Sequence, residues 1–163
     1  MTRSKLRSSS PDFTQRLPER FLVSACLAGV PCRYDGRSNS NSSIISLVNH
    51  GRAVLVCPEL LGGLSVHRLP CEIRIGRVYD IHGFDKTSHF ERGALMALNI
   101  ALAHGCSAAI LKARSPSCGY GSIYDGSFHH ILIPGNGFFA SLLEKAGLTI
   151  FSEENIGDLP DML

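Results

Sequence analysis

Short apolar runs alternate with longer stretches of helical periodicity along this chain. Four apolar runs predict buried β-strands, at residues 21–25, 53–56, 108–111 and 148–151. Helical periodicity predicts α-helices at residues 42–49, 87–104 and 137–146, and a glycine follows each of the last two as a stop signal. Further strands are predicted at residues 74–80 and 129–133. This alternation predicts an α/β fold, a single compact domain whose mainly parallel sheet carries helices on both faces.

The composition is that of one globular domain. Of 163 residues, 44% are apolar and 18% are charged, which is enough apolar surface for a core and excludes a disordered chain. No run approaches about eighteen consecutive apolar residues, so we expect no membrane span. The net charge of +2 excludes a nucleic-acid binder held by bulk electrostatics.

The positive charge is concentrated at the start of the chain. Residues 1–20 hold five basic and two acidic residues, a balance of +3, whereas the other 143 hold 11 basic and 12 acidic, a balance of −1. We therefore expect residues 1–19 to be a disordered, basic, serine-rich extension and residues 20–163 to form the domain. The near-neutral domain disfavours a nucleic-acid partner, although the basic extension leaves weak affinity for tRNA open.

Six cysteines raise the question of disulfides. No N-terminal stretch has the apolar core of a secretion signal, and a chain of this size folds without covalent staples. We therefore expect reduced thiols and a cytoplasmic protein.

Three of these cysteines directly follow or closely follow predicted strands. Cys26, Cys57 and Cys118 each lie in a loop rich in glycine and proline at the carboxyl end of a strand. Because the carboxyl ends of parallel strands share one rim, where ligands bind, these thiols should meet. Their loops also bring polar residues, including Asp35, Glu59, Lys112, Ser115 and Ser117. The paired spacing of zinc sites is absent, and a triad of soft thiolates suits an iron–sulfur cluster with one iron left open.

The other three cysteines receive different interpretations. Cys106 lies before a strand, at the opposite rim, and is predicted to be a buried apolar residue. Cys71 follows a proline in a loop and is interpreted as structural. Cys32 shares the first loop with Cys26, so it stays open as a further ligand.

Three motifs in order carry a resemblance to a known family: SACLAGVPCRYDG at residues 24–36, VCPELLGGL at 56–64 and LKARSPSCG at 111–119. Together with GFDKTSHFERGA at residues 83–94, they resemble the thiouracil desulfidase family over about residues 20–155. The resemblance implies a compact α/β domain that holds a 4Fe–4S cluster through Cys26, Cys57 and Cys118, leaving one iron open. It further implies that Glu59 is the catalytic glutamate and that Ser115 or Ser117 is the catalytic serine. The chain departs from the usual family pattern near His67 and Cys71.

The implied activity is the non-redox desulfuration of 2- or 4-thiouracil, or a related thionucleobase, to uracil and sulfide. Substrate sulfur would bind the open iron, Glu59 would move protons, and Ser115 or Ser117, with Lys112 nearby, would donate hydrogen bonds. Tyrosines that could stack on the base are Tyr34, Tyr120 and Tyr124. Alternatives are an iron–sulfur sensing module without turnover and a zinc-binding interaction domain. The sequence leaves open a free base, nucleoside or tRNA substrate, and a monomer or small homo-oligomer.

Overall fold

The computed structural model describes residues 20–157. The extension expected at residues 1–19 therefore lies outside the described residues, as do residues 158–163 of the expected domain. Within residues 20–157, no helix combines the length and the hydropathy that crossing a bilayer requires.

The central element is a parallel sheet of four strands in the order β2-β1-β5-β8. Its strands are β1 (Phe21–Ser24), β2 (Ala53–Val56), β5 (Ala108–Leu111) and β8 (Thr149–Ser152). Two antiparallel hairpins accompany it: β3 (Cys71–Arg74) with β4 (Arg77–Asp80), and β6 (Ser122–Tyr124) with β7 (Leu132–Pro134). The helices are α1 (Ser42–Asn49), α2 (Pro58–Leu61), α3 (Thr87–Ala103) and α4 (Phe138–Lys145), and a 3₁₀ turn covers Ala25–Ala28.

Helices cover both faces of this sheet, as the sequence predicts. Along β1, Phe21 and Val23 pack with Ile44 of α1, whereas Leu22 packs with Phe139 of α4 and with the alanines of α3. Alternate residues of a strand face opposite sides, so a strand buried on both sides reads as a continuous apolar run. The fold class and the four predicted core strands are therefore confirmed.

The strand predicted at residues 74–80 is correct from Arg77 onward, where it is β4, but its first residues belong to a hairpin that was not predicted. β3 and β4 pair with Arg74 opposite Arg77, and Ile75 and Gly76 form the two-residue turn between them. The residue pairs typical of such turns are Asn-Gly and Asp-Gly, so isoleucine hid the reversal. The strand predicted at residues 129–133 is shifted toward the C-terminus and is β7.

The hairpin turn carries strain that a substitution should relieve. Ile75 and Gly76 have φ values of 50° and 71°, the signature of a type I′ turn, and Ile75 is 94% exposed. A β-branched residue at positive φ is strained, and no packing offsets that strain here. We expect Ile75→Asn to raise the free energy of unfolding by about 1 kcal/mol and the melting temperature by about 2–4 °C. Ile75→Val keeps the branched side chain and should show no such gain in the same melting experiment.

A close contact between two glycines fixes α2 against α3. A Cβ on Gly93 would overlap the carbonyl oxygen of Pro58, and a Cβ on Gly62 would overlap that of His89. The imidazole Nδ1 of His89 also lies 2.8 Å from the carbonyl oxygen of Gly62. Because α2 directly follows Cys57, this contact sets where that thiol lies.

Replacing Gly93 with alanine should therefore destabilise the protein, although alanine is the better helix former. Helix propensity favours alanine by about 0.5–1 kcal/mol. The backbone clash should cost more, with a net loss of about 1–3 kcal/mol in the free energy of unfolding. Leu95→Ala, at an exposed position of the same helix, is the matched control. A Gly93→Ala variant as stable as the wild type in denaturant titration would contradict this packing argument.

Candidate functional site

A cavity of about 330 Å³ opens at the carboxyl rim of the parallel sheet. The segments that follow β1, β2 and β5 line it, and residues of β3 and β6 contribute at its side. These three core strands are neighbours in the sheet, so their carboxyl ends converge there.

Five of the six cysteines line this cavity: Cys26, Cys32, Cys57, Cys71 and Cys118. Cys106 is buried in the core just before β5, at the opposite rim. Cys71 does not lie in a loop, as the sequence suggested, because it is the first residue of β3. The structure thus brings the three strand-end cysteines together and adds two more thiols beside them.

Cys32 lies between two of the strand-end cysteines, within hydrogen-bonding reach of Cys26 and Cys57. The contact with Cys26, together with burial, raises the pKa of Cys32 to about 11. The contact with Cys32, together with burial, also raises the pKa of Cys57, whose Sγ lies 3.9 Å from the carbonyl oxygen of Cys32. Cys32 and Cys57 therefore stay protonated until a metal displaces their protons.

Cys118, the third strand-end cysteine, lies among three serines: Ser24, Ser115 and Ser117. Burial raises the pKa of Cys118 to about 12, against the lowering effect of the neighbouring Ser24 hydroxyl. The Ser115 Oγ accepts hydrogen bonds from the backbone N–H groups of Ser117 and Cys118, at 3.1 and 3.0 Å. Ser115 thus shapes the turn that presents Cys118, and its own hydroxyl hydrogen remains available to a ligand.

Ser117 has an environment that calls for a partner. Its Oγ is buried and makes no hydrogen bond of normal geometry to any residue between 20 and 157. A buried hydroxyl without a partner is costly, so an acceptor that completes the site would stabilise it. Five clustered thiols beside an unsatisfied hydroxyl fit an iron–sulfur cluster, whose sulfurs accept hydrogen bonds and whose irons prefer thiolate ligands. Among the described residues, no group of three or more His, Cys, Asp or Glu side chains is arranged to hold a single metal ion.

Glu59 lies at the edge of the same cavity, held by an arginine. Its Oε2 accepts a hydrogen bond of 2.6 Å from Nε of Arg68, and both side chains are mostly buried. The other carboxylate oxygen, Oε1, has no hydrogen bond to a described residue. The arrangement leaves one oxygen of a fixed carboxylate beside the thiols.

The sequence model of the 2-thiouracil desulfurase family matches residues 21–155. The chain belongs to this family. It is 42% identical over 149 residues to the uncharacterized protein YbbK of Bacillus subtilis (strain 168), an alignment that covers 85% of this chain and 99% of YbbK. Its fold matches that of the [4Fe-4S]-dependent thiouracil desulfidase TudS with a TM-score of 0.83 and 42% identity, covering 88% of this chain and 97% of TudS.

In this 2-thiouracil desulfurase family member, the two cations of the segment after β5 pair with glutamates that follow β8. Lys112 Nζ donates to Glu153 Oε1 at 2.5 Å and to the carbonyl oxygen of Ala113 at 3.1 Å. The backbone N–H of Ala113 donates to the second oxygen of Glu153, and Arg114 pairs with Glu154. Lys112 lines the cavity as expected, but its ammonium chiefly anchors the loop that carries the serines.

Aromatic side chains line part of the cavity wall. Tyr34 and Tyr124 line it, whereas Tyr120 does not and instead donates a hydrogen bond to Glu144. His130, which the sequence did not indicate, also lines the cavity and contacts Tyr124 edge to face. Its φ of 59° lies in the left-handed region, which few non-glycine residues adopt, and this marks the loop between β6 and β7 as a shaped element.

A buried carboxylate holds that loop in place. Glu72 Oε2 accepts hydrogen bonds from the backbone N–H groups of Gly126 and Phe128, at 3.0 and 2.9 Å. Sequence reasoning missed Glu72, Arg68 and Glu153, since each acts on a distant segment of the chain. Two opposite charges flanking Pro70 in a largely apolar stretch are the signal that could have indicated buried roles for Arg68 and Glu72.

Proposed function

We propose that this protein is an iron–sulfur enzyme that removes sulfur from a thiolated uracil and yields uracil and sulfide. The observation that carries the proposal is the convergence of three strand-end cysteines with Glu59 in one cavity of a 2-thiouracil desulfurase family member. TudS, which shares the fold of this chain, is a [4Fe-4S]-dependent thiouracil desulfidase, and this likeness supports the proposal. The reaction is a substitution in which one water replaces the sulfur, so no oxidant or reductant is consumed.

The residues proposed to hold the cluster are Cys26, Cys57 and Cys118. They follow three adjacent strands and line one cavity. When bound, the cluster supplies a Lewis-acidic iron without a protein ligand, which polarises the substrate's carbon–sulfur bond. Cys32, between two of these thiols, is positioned to donate a hydrogen bond to a ligand sulfur.

Glu59 is proposed to move the protons of the reaction. The attacking water loses its protons as the departing sulfide gains them, and a carboxylate with one free oxygen can carry a proton between them. Arg68 fixes the other oxygen at 2.6 Å, so the free one is held in a defined place.

The two motif serines are proposed to have separate roles. Ser115 accepts two backbone hydrogen bonds, which polarises its hydroxyl as a donor to the ring or to charge that develops on it. Ser117 is fully buried beside Cys118, so its unpaired hydroxyl is placed to donate to a cluster sulfur. Lys112 supplies a positive charge at the cavity wall while Glu153 restrains it.

The test is anaerobic purification followed by turnover. We expect a broad brown absorbance, iron and sulfide counts near those of one four-iron cluster, and release of sulfide and uracil in equal amounts from 2- or 4-thiouracil. A cluster without turnover would favour the sensing module, and a colourless zinc protein would favour the interaction domain. Thiouridine and thiolated tRNA as further substrates would identify the size of molecule that the cavity accepts.

A further inference from the structure

Arg68 is the most extensively bonded side chain at the cavity. Its Nε donates to Glu59, and its Nη1 donates to the carbonyl oxygens of Cys32, Ser65 and Val66 at 3.2, 3.0 and 3.0 Å. Its side chain is only 9% exposed. These bonds immobilise the guanidinium in one orientation at the cavity wall.

One edge of this guanidinium is left without a partner. A guanidinium has five N–H donors in a rigid plane, and Nη2 carries two of them. Nη2 makes no hydrogen bond to any residue from 20 to 157, although it belongs to a side chain that is almost wholly removed from bulk solvent. A cation this buried, at the wall of a cavity and with two free donors, is prepared to receive an oxygen of a ligand.

We propose that Arg68 is a substrate-binding residue whose Nη2 donates to the carbonyl oxygen of the thiouracil ring. The proposal rests on the desulfuration proposed above and identifies the group that recognises the part of the ring that does not react. Each monothiouracil keeps one carbonyl oxygen, and a fixed donor on it sets which position reaches the thiols. Because Nε and Nη1 remain on Glu59 and the backbone, substrate and proton carrier are held by one rigid group.

Arg68→Lys tests this assignment because lysine keeps the charge and loses the fork. The probe pair is 4-thiouracil, which has a carbonyl oxygen, and 2,4-dithiouracil, which has none. We expect KM for 4-thiouracil to rise by about 10- to 100-fold, the effect of losing a charged hydrogen bond, with cluster content unchanged. KM for 2,4-dithiouracil should change by less than about threefold. Arg77→Lys, in an exposed ion pair with Asp85 away from the cavity, is the matched control and should leave both values unchanged.

Binding of the product gives a readout that does not depend on turnover. Equilibrium dialysis of uracil with the anaerobically purified full chain should show wild-type binding and a Kd about 10- to 100-fold weaker for Arg68→Lys. If the wild type binds uracil but releases no sulfide, the proposed reaction is wrong. The Arg68 assignment is then decided by the difference in uracil Kd between the wild type and Arg68→Lys.

Each of the following results would overturn the assignment. The first is unchanged uracil binding in Arg68→Lys. The second is an equal rise of KM for 4-thiouracil and 2,4-dithiouracil, because only an effect transmitted through Glu59, which does not depend on a ring oxygen, would change both. The third is loss of the fold in both Arg68→Lys and Arg68→Gln, which would make the residue part of the scaffold. Wild-type protein that does not bind uracil would also contradict it.

Discussion

Replacing Cys26, Cys57 or Cys118 with serine is expected to remove the iron–sulfur cluster from the protein in each case. In a cluster of this kind, each cysteine thiolate binds one iron. A serine hydroxyl ionises less readily than a thiol and lacks the soft sulfur that iron prefers. All three thiols line one cavity and come from three different loops. Iron and sulfide per protein should fall to near zero, and the brown absorbance should be lost.

The matched control is Cys106→Ser, which should keep a full complement of iron. Cys106 is also a buried cysteine but lies before β5, where burial raises its pKa against the lowering effect of Arg20. Cys71→Ser should also keep the cluster, because this thiol begins β3 at the side of the cavity and donates to the carbonyl oxygen of Leu69. Circular dichroism would verify the fold of each variant. Retention of iron by a folded Cys118→Ser variant, or its loss from a folded Cys106→Ser variant, would refute the assignment.

Cys32→Ser asks a different question of the same site. Cys32 contacts two of the assigned thiols, so its replacement reveals whether it binds iron or only donates a hydrogen bond. A retained cluster with a shifted reduction potential is the result expected of a hydrogen-bond donor, since such donors tune cluster potentials.

The sequence was sufficient to place the strand-end cysteines at one rim of the sheet, because only the position of the strands along the chain and their parallel direction were needed. An apolar run such as residues 108–111 identifies a strand buried on both faces, and parallel strands send their carboxyl ends to one rim. Nothing finer was required to bring Cys118 beside Cys57.

The wall of the cavity could not be predicted in this way. Arg68 and Glu72 lie in a stretch without periodicity, and Glu72 bonds to a loop more than fifty residues away. Glu153 accepts a hydrogen bond from Lys112, which lies 41 residues before it in the sequence. Side-chain hydrogen bonds between distant loops depend on tertiary placement, and no local pattern of residues reports it. The hairpin at Ile75 was missed for a related reason, since tertiary pairing overrides an unfavourable turn residue.

The final prediction concerns Glu59, for which two interpretations differ in their consequences. As the carboxylate in the first turn of α2 and the partner of Arg68, it could be a structural group whose loss costs stability. Since that ion pair is mostly buried, removing its negative charge should lower the free energy of unfolding by more than an exposed pair would. As a proton carrier, it should determine the rate of desulfuration whatever its effect on stability.

Glu59→Gln separates the two because glutamine keeps the size and the hydrogen-bond acceptor for Arg68 but cannot carry a proton. We expect turnover per cluster to fall by about 10²–10⁴-fold, while cluster content and uracil binding stay close to those of the wild type. The measurement is sulfide release normalised to iron, with thermal unfolding recorded in parallel. Glu144→Gln, which alters an exposed carboxylate bonded to Tyr120 and Asn136, is the control and should change none of these quantities. A Glu59→Gln protein that melts earlier yet turns over at the wild-type rate would reduce Glu59 to the structural partner of Arg68. It would also transfer the proton-carrying role to another group at the cavity, with Asp35 and Lys112 as the first candidates to replace.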